Sequence, residues 1–472
     1  MRTRGLCVLV CGALAAATAT VAATASRDQA PTRDLRSAGL RFYEPPTARQ
    51  PKNVILLIGD GMGVSEITAA RYYQYGADGR MNIDRLSYTG FVTTASLKPA
   101  ASPPYLPDYV PDSAATGTAW ATGNRTIDDR ISQGPSAALD EAGTNNGYET
   151  LLERAQRRGQ RVGLVTTAEL TDATPAVMAA HISNRACQGP SDTATRCPRE
   201  TKSAGGLGSI AEQEIDHGVD VLLGGGRARF AQPTASGRTV IDEARDRGYT
   251  IVADSTELAE TGPRYRPLLG LFAEGNMTPE WTGPSATTGV GNTPPVRCDT
   301  ANRPAAQPSL AAMTEKALDL LRNRRGFFLQ VEGASIDKQD HAANACGQIG
   351  ETVAFDEAIG VALRFQRRHP DTLVLVTADH SHTSQIVPED ASGGSAPTGY
   401  SINLLTRDGQ TLRITYGTSG YGGAGNPPLA VPPSQQHTGA AVPVFAEGPN
   451  ARSVLGTHPQ TDLFWIIQGR RR

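Results

Sequence analysis

Short, continuous apolar runs that end in polar residues are the feature that most constrains the fold of this chain. Four of them end in carboxylate, hydroxyl or imidazole side chains: NVILLIG before Asp60, RVGLV before Asp172 and Thr174, FFLQV before Glu332, and TLVLV before Asp379 and His380. A fifth run, VDVLLGGG, ends in glycines. Continuous runs of this length are typical of strands that are buried on both faces of a parallel sheet.

Segments with helical periodicity separate these runs. Examples are YETLLERAQRRG and SLAAMTEKALDLLRNRRG, the second with Gly326 in a C-cap position. Strands that alternate with helices indicate an α/β protein, and we expect a three-layer α/β/α sandwich around a large, mostly parallel central sheet. Ligands of such sheets bind beyond the carboxyl ends of the strands, so the polar residues should meet at one edge.

The N-terminal 25 residues read as a secretory signal peptide. They combine the basic start MRTRG, the apolar run LCVLVCGALAAA and a small-residue cleavage site ending at Ala25. No later segment has about 18 unbroken apolar residues, so we expect a periplasmic or secreted protein without a membrane anchor. The remainder, 26–472, is expected to form a single domain, with irregular excursions at about 263–306 and 388–436 where Gly, Pro, Ser and Thr are frequent.

The cysteine content agrees with export. The chain has six cysteines, and loss of the signal peptide removes Cys7 and Cys11 and leaves four. An even number in an exported protein favours disulfides, and four cysteines allow three pairings. The pairing between sequence neighbours, Cys187–Cys197 and Cys298–Cys346, is the one we predict.

Several carboxylates would be crowded together at the predicted sheet edge: Asp60, Glu332, Asp337 and Asp379. Like charges at short range cannot all remain ionised in a buried site without compensation. Bound divalent cations are the natural compensation, so the sequence predicts a metal site at this edge.

Histidines near these carboxylates indicate which metals would bind. Asp337 and His341 stand four residues apart and would share one face of a helix, and His437 in QQHTG is a candidate third ligand. Mixed imidazole and carboxylate ligands fit zinc, whereas the carboxylate and hydroxyl set of Asp60, Thr174 and Glu332 fits magnesium. His382 is expected to orient the ligands by hydrogen bonding. The remaining histidines have no such setting and are assigned a structural role: His181, His217, His369 and His458.

The stretch VPDSAATGTAWATG, residues 110–123, has two interpretations. Ser113 could cap the helix that follows, as Ser and Asp commonly do. It could instead be a nucleophile at a helix N-terminus, where the amides and the helix dipole favour negative charge. The small residues after it would then leave room for a substrate to approach.

Several segments taken together resemble one known family. GDGMG, PDSAATGTAWATG, TAELTDATPA with HISNR, QVEGASIDKQDHAANACGQIGET, TADHSH and QQHTG are similar, in the same order, to the signature segments of the bacterial periplasmic alkaline phosphatases. The resemblance runs from about residue 50 to residue 467. It implies hydrolysis of small phosphate monoesters through a covalent phosphoserine, two Zn²⁺ and one Mg²⁺ per chain, and a homodimer.

The resemblance also implies a role for each matching residue. Ser113 would be the nucleophile, Arg185 would clamp the phosphate and be steadied by Asp112, and Lys338 would reach the phosphate through water. The metal ligands would be Asp337, His341 and His437 for the first zinc, Asp60, Asp379 and His380 for the second, and Asp60, Thr174 and Glu332 for magnesium, with Asp172 holding the waters of the magnesium ion.

Other functions are less consistent with the sequence. The net charge of −2 provides no basic surface for nucleic acid. A sulfatase would need a Cys-x-Pro-x-Arg or Ser-x-Pro-x-Arg segment, which is not present at Ser113, and a phosphodiesterase relative would usually lack a clamp such as Arg185. A secreted phosphate- or metal-binding protein without turnover would have no use for the serine.

Overall fold

The computed structural model describes residues 50–100, 102–136, 147–262, 266–389, 399–418 and 434–469. The predicted signal peptide, residues 1–25, lies outside the described residues. By its internal contacts, Ala48–Arg472 forms one compact unit. Within the described ranges, no helix has both the length and the apolar character needed to cross a bilayer.

The protein is organised around a large central sheet. The strands in the described ranges are β1 (Asn53–Gly59), β2 (Tyr88–Thr93), β3 (Ser96–Leu97), β4 (Pro107–Asp108), β5 (Arg161–Glu169), β6 (Val221–Gly225), β7 (Thr250–Val252), β8 (Leu268–Leu271), β9 (Thr287–Thr288), β10 (Phe327–Gly333), β11 (Thr372–Ala378), β12 (Gln385–Val387), β13 (Tyr400–Leu405), β14 (Thr411–Tyr416), β15 (Val442–Glu447) and β16 (Thr457–Pro459). Ten of them form the central sheet in the order β16-β2-β15-β11-β1-β10-β5-β6-β8-β7. The strands from β11 to β7 are all parallel, and β15 is antiparallel to both of its neighbours.

Helices cover both faces of this sheet, which confirms the predicted three-layer architecture. The α-helices in the described ranges are α1 (Val64–Tyr75), α2 (Ser113–Thr122), α3 (Leu151–Arg157), α4 (Ala173–Ala179), α5 (Pro190–Arg196), α6 (Ile210–Asp216), α7 (Arg227–Phe230), α8 (Val240–Asp246), α9 (Ser255–Glu260), α10 (Leu310–Leu321), α11 (Ser335–His341), α12 (Ala345–Arg368) and α13 (Asp462–Ile467). Short 3₁₀ turns lie at Ile83–Arg85, Pro198–Glu200, Lys202–Ala204 and Ala451–Val454. One group of helices, α1, α10, α11 and α12, packs together, and a second group contains α2, α3, α4 and α6.

The core explains why the central strands are continuous apolar runs. Every residue of β1, β10 and β11 is buried, because helices lie on both faces and neighbouring strands lie on both sides. The four runs that end in polar residues form the adjacent strands β11, β1, β10 and β5. Their carboxyl ends therefore meet at one edge of the sheet, as the sequence predicted.

The prediction that 263–306 and 388–436 are irregular is wrong for part of each range. β8 lies inside the central sheet, between β6 and β7. β13 and β14 form a hairpin in a second sheet with the order β12-β14-β13-β9. The hairpin buries Ile402, Leu404, Leu412 and Ile414, but this alternation is short and is surrounded by Gly- and Pro-rich sequence.

Gly326 does not cap α10, which ends at Leu321. Its backbone has a φ of +89°, and a Cβ at this position would lie 1.9 Å from the carbonyl oxygen of Lys52. Glycine is therefore required where the chain turns into β10, rather than at the helix end.

Both predicted disulfide pairings are present. Cys187 is bonded to Cys197 and Cys298 to Cys346. The first lies two residues after Arg185, and the second connects the 263–306 range to the start of α12.

The burial of β1 generates a stability prediction. Leu57 is fully buried in this strand, so we expect Leu57→Ala to lower the free energy of unfolding by about 2–5 kcal/mol, measured by urea denaturation. Leu455 is 46% exposed, and Leu455→Ala should change the same quantity by less than about 0.5 kcal/mol. Equal losses in the two variants would contradict the central position of β1.

Candidate metal and phosphate site

Ser113 is the first residue of α2 and not its cap. Asp112 is the N-cap, because its Oδ1 accepts a hydrogen bond from the amide of Ala115 at 2.9 Å. The hydroxyl of Ser113 is thereby left free for another role, and its Oγ lies 3.3 Å from Nε2 of His380. The small Gly117 serves helix packing, since a Cβ there would lie 2.9 Å from Cγ1 of Val177.

Three imidazoles surround one carboxylate oxygen. Oδ1 of Asp337 lies 3.4 Å from Nε2 of His341, 3.2 Å from Nε2 of His382 and 3.4 Å from Nε2 of His437. The Nε2 atoms of His341 and His437 are 3.1 Å apart. Asp337 and His341 lie at the two ends of one turn of α11, which is the helical arrangement that their spacing predicted.

Backbone carbonyls determine how two of these rings are protonated. Nδ1 of His437 lies 2.9 Å from the carbonyl oxygen of Pro111, and Nδ1 of His341 contacts the carbonyl oxygen of Gln435. A carbonyl can only accept, so each Nδ1 carries the proton and each Nε2 presents a lone pair in the neutral ring. Both histidines are therefore oriented as metal ligands.

His382 has the opposite orientation. Its Nδ1 accepts a hydrogen bond from the amide of Thr383 at 3.0 Å. In the neutral ring the proton is then on Nε2, which faces Asp337. His382 is therefore placed to donate a hydrogen bond to a ligand rather than to bind a metal itself.

A second group of possible ligands lies beside Ser113. Nε2 of His380 lies 3.2 Å from Oδ2 of Asp379 and 3.5 Å from Oδ1 of Asp60. The amide of Gly61 donates to Oδ1 of Asp379 at 2.9 Å. Asp60, Asp337 and His380 also present ligand atoms within 4.8 Å of one another, so the two groups adjoin.

The residues expected to bind magnesium, Asp60, Thr174 and Glu332, are buried at the same edge. Oε2 of Glu332 accepts a hydrogen bond from the hydroxyl of Thr166 at 2.5 Å. Oγ1 of Thr174 is buried and has no hydrogen-bond partner among the described residues, and the same is true of Oδ1 of Asp60 and Oδ2 of Asp379. Buried oxygens without partners are costly unless something else compensates them, and bound cations would do so.

Two cations of the site, Arg185 and Lys338, are held by its carboxylates. Arg185 donates to Oδ2 of Asp112 at 3.1 Å and to Oδ1 of Asp172 at 2.7 Å. Nζ of Lys338 lies 2.8 Å from Oδ2 of Asp172. Burial alone would raise the pKa of Asp172, but the charges of Lys338 and Arg185 hold it well below its usual value. Asp172 is therefore an ionised bridge between the two cations.

Without bound cations, the site would carry more negative charge than burial permits. Burial, followed by the charges of Asp337 and Asp379, raises the pKa of Asp60 well above its usual value. Burial likewise raises the pKa of Glu332 to about 7. Cations would reverse both shifts, and the donor set of carboxylates, a hydroxyl and correctly oriented imidazoles fits zinc and magnesium.

The groups that orient the ligands were not predictable from the sequence. The carbonyls of Pro111 and Gln435 and the hydroxyl of Thr166 hold His437, His341 and Glu332. A backbone carbonyl has no sequence signal because every residue carries one. Thr166 lies inside the apolar strand β5, and because threonine is common in strands its presence does not indicate a role in the site.

Most of the chain is similar to known phosphatases. The family model described as alkaline phosphatase matches residues 51–422. Among curated proteins, the chain is 48% identical to streptomycin-6-phosphate phosphatase of Streptomyces griseus, over 88% of this chain and 89% of that protein. It is 46% identical to alkaline phosphatase of Escherichia coli, over 88% of this chain and 85% of that protein. It is 48% identical to alkaline phosphatase H of Pseudomonas aeruginosa, over 89% of this chain and 85% of that protein.

Solved structures support the fold. Alkaline phosphatase from the Antarctic bacterium TAB5 has a TM-score of 0.62 at 24% identity, covering 89% of this chain and 97% of that one. The enzyme of Thermus thermophilus has a TM-score of 0.62 at 23% identity, covering 90% of this chain and 92% of that one.

The raised pKa of Glu332 generates a prediction for the chelator-treated protein. A carboxyl whose pKa is higher in the folded than in the unfolded state stabilises the fold fully at low pH, and this contribution is lost as pH rises through the folded value. We expect the melting temperature of the metal-free protein to fall, relative to Glu332→Gln, as pH rises from about 4.5 to about 7. The measurement is a series of thermal melts in chelator.

The exposed Glu315→Gln on α10 is the matched control and should follow the unmodified chain. If the melting temperatures of the unmodified chain and of Glu332→Gln change with pH in the same way across this range, the raised pKa of Glu332 is contradicted.

Proposed function

Because this chain belongs to the alkaline phosphatase family and hydrolyses phosphate monoesters, we propose that Ser113 is the nucleophile of this reaction. The observation that carries the proposal is the position of its hydroxyl. It lies at the first residue of α2, released from capping by Asp112, and 3.3 Å from His380. It thus faces the two adjoining groups of carboxylates and imidazoles.

The proposed reaction has two steps. Oγ of Ser113 attacks the phosphorus, the bond to the alcohol oxygen breaks, and a phosphoserine remains. Water then attacks the same phosphorus, which releases phosphate and restores the hydroxyl. The N-terminus of α2 supports both steps, since its free amides and its dipole favour the negative charge that collects there.

Arg185 is proposed to hold the phosphate. Its planar guanidinium can bind two phosphate oxygens at once. Asp112 and Asp172 fix its orientation before substrate arrives, which reduces the entropy lost on binding. Lys338, held by the other oxygen of Asp172, adds positive charge on the same side.

The protein uses metal cofactors, and we propose two Zn²⁺ and one Mg²⁺ per chain. The ligands would be Asp337, His341 and His437 for the first zinc, Asp60, Asp379 and His380 for the second, and Asp60, Thr174 and Glu332 for magnesium, with Asp172 holding the waters of the magnesium ion. When bound, the zinc ions would lower the pKa of the Ser113 hydroxyl and offset charge on the leaving oxygen.

Initial rates on different esters would separate this activity from that of diesterase or sulfatase relatives and from simple binding. A phosphate monoester, a phosphate diester and a sulfate ester should be compared with and without chelator. Streptomycin 6-phosphate belongs among the monoesters, because the name of the relative from Streptomyces griseus states that substrate. We expect the monoesters to be hydrolysed faster than the diester and the sulfate ester, and we expect chelator to abolish this hydrolysis.

Export and assembly complete the proposal. We propose that residues 1–25 are cleaved as a signal peptide, that 26–472 form a single catalytic domain, and that the mature protein is periplasmic or secreted. The two disulfides support an oxidising compartment. We propose that the protein is a homodimer, as the resemblance implies. Its mass in solution should then be twice that of one mature chain.

Ser113→Ala tests the nucleophile. We expect kcat for a phosphate monoester to fall by about 10³-fold or more, because the attacking oxygen is removed. The metal content should remain that of the unmodified chain, since the proposed ligands remain. The exposed Ser453→Ala is the control and should keep full activity. A variant without Oγ that keeps its rate would refute the phosphoserine route.

Arg185→Lys tests the phosphate clamp. Lysine keeps the charge but not the planar pair of donors, so we expect kcat/KM to fall by about 10- to 100-fold, as for loss of a hydrogen bond between charged groups. Affinity for inorganic phosphate, measured by inhibition, should fall with it. Arg364→Lys on the exposed face of α12 should leave both unchanged. If the two lysine variants behave alike, Arg185 does not bind the phosphate.

A further inference from the structure

Three side chains of the kinds that bind metal ions lie close together outside the site described above. Oε1 of Glu153 lies 3.0 Å from Nε2 of His181 and 3.2 Å from Nε2 of His217. All three ligand atoms lie within 4.8 Å of one another. They come from different elements: Glu153 from α3, His181 from the segment after α4, and His217 from the C-terminal end of α6.

Both rings are fixed with their Nε2 atoms facing the carboxylate. Nδ1 of His181 lies 3.0 Å from the carbonyl oxygen of Ser132, and Nδ1 of His217 lies 2.9 Å from the carbonyl oxygen of Gln213. Each Nδ1 must donate to its carbonyl, so in the neutral rings both Nε2 atoms present lone pairs. Histidine metal ligands commonly have this arrangement, in which the outer nitrogen donates to a carbonyl.

The distances from Oε1 of Glu153 to the two Nε2 atoms, 3.0 and 3.2 Å, fit two ligands of one small ion. Ligands bound tetrahedrally to Zn²⁺ at about 2.0–2.1 Å lie about 3.3 Å from one another. We propose that Glu153, His181 and His217 hold a zinc-class transition-metal ion, separate from the metals of the active site. Two imidazoles among three ligands favour Zn²⁺ over Mg²⁺ or Ca²⁺. The side chains of His181, Glu153 and His217 are 10%, 21% and 24% exposed, so water can complete the coordination.

The charge of the cluster supports a cation. Burial would raise the pKa of Glu153, but hydrogen bonds from His181 and His217 hold it well below its usual value, so the carboxylate is ionised. A metal ion would displace the protons that make these two hydrogen bonds, so its affinity should weaken in acid.

The ion would have a structural role. It would connect residues that are 28 and 64 positions apart in sequence, so it would stabilise the folded chain over the unfolded one. His181 lies four residues before Arg185, and the ion would therefore also anchor the segment that carries the proposed phosphate clamp. His181 and His217 are structural residues by the sequence prediction, and no sequence pattern connects them with Glu153.

Zinc content of the full-length protein tests the proposal. After saturation with Zn²⁺ and removal of excess metal, His217→Gln should retain about one Zn²⁺ per chain fewer than the unmodified protein. It should also gain less heat resistance from added Zn²⁺. His458→Gln is the matched control, because His458 is about as exposed as His217 and one of its ring nitrogens, Nε2, contacts a carbonyl, that of Leu455.

Two further variants make the result decisive. Glu153→Gln keeps the size and an acceptor oxygen but removes the charge, and it should lose the same ion. In a His437→Ala background, which removes a proposed active-site ligand, His217→Gln should still remove one further Zn²⁺. Equal zinc content in the presence and absence of His217 would overturn the proposal and leave the cluster as hydrogen bonds alone. That result would not affect the proposed nucleophile, which Ser113→Ala tests independently.

Discussion

The carboxyl ends of β11, β1, β10 and β5 bring several buried carboxylates together, and the rest of the site is arranged around their repulsion. Asp60 illustrates the cost, since burial and the charges of Asp337 and Asp379 raise its pKa far above the usual value. A fold that only needed stability would place apolar groups here. The parallel strands cannot avoid the convergence, because all of them deliver their following residues to the same edge.

Compensation takes two forms. Lys338 and Arg185 share the carboxylate of Asp172 and keep it ionised. Asp60 and Asp379 each have a buried oxygen that makes no hydrogen bond to another of the described residues. The protein thus supplies fixed cations where a phosphate would bind and leaves unpartnered acceptors where metal ions would bind. With the proposed roles, this arrangement would let an anionic substrate approach an edge that is lined with acids.

Much of this could be predicted from the sequence, for physical reasons that differ between elements. Continuous apolar runs such as β1 and β11 indicated the parallel sheet, since only strands covered on both faces read this way. The polar residues after them indicated the site because strand direction determines where those residues lie. The hairpin of β13 and β14 was missed because its alternation is short and lies among glycines and prolines. Gly326 was misplaced because a turn into a strand and a helix C-cap both require a positive φ.

The protonation of the histidines was the part of the site least accessible from sequence, although it distinguishes His341 and His437 from His382. All three surround the same oxygen of Asp337 at similar distances. The difference lies in the backbone: two rings meet carbonyls at Nδ1, whereas His382 meets the amide of Thr383. The backbone thus selects which nitrogen keeps the proton, and with it which ring can bind a metal. The same criterion, applied to His181 and His217, identifies two further rings whose Nδ1 atoms meet carbonyls and whose Nε2 atoms face a carboxylate.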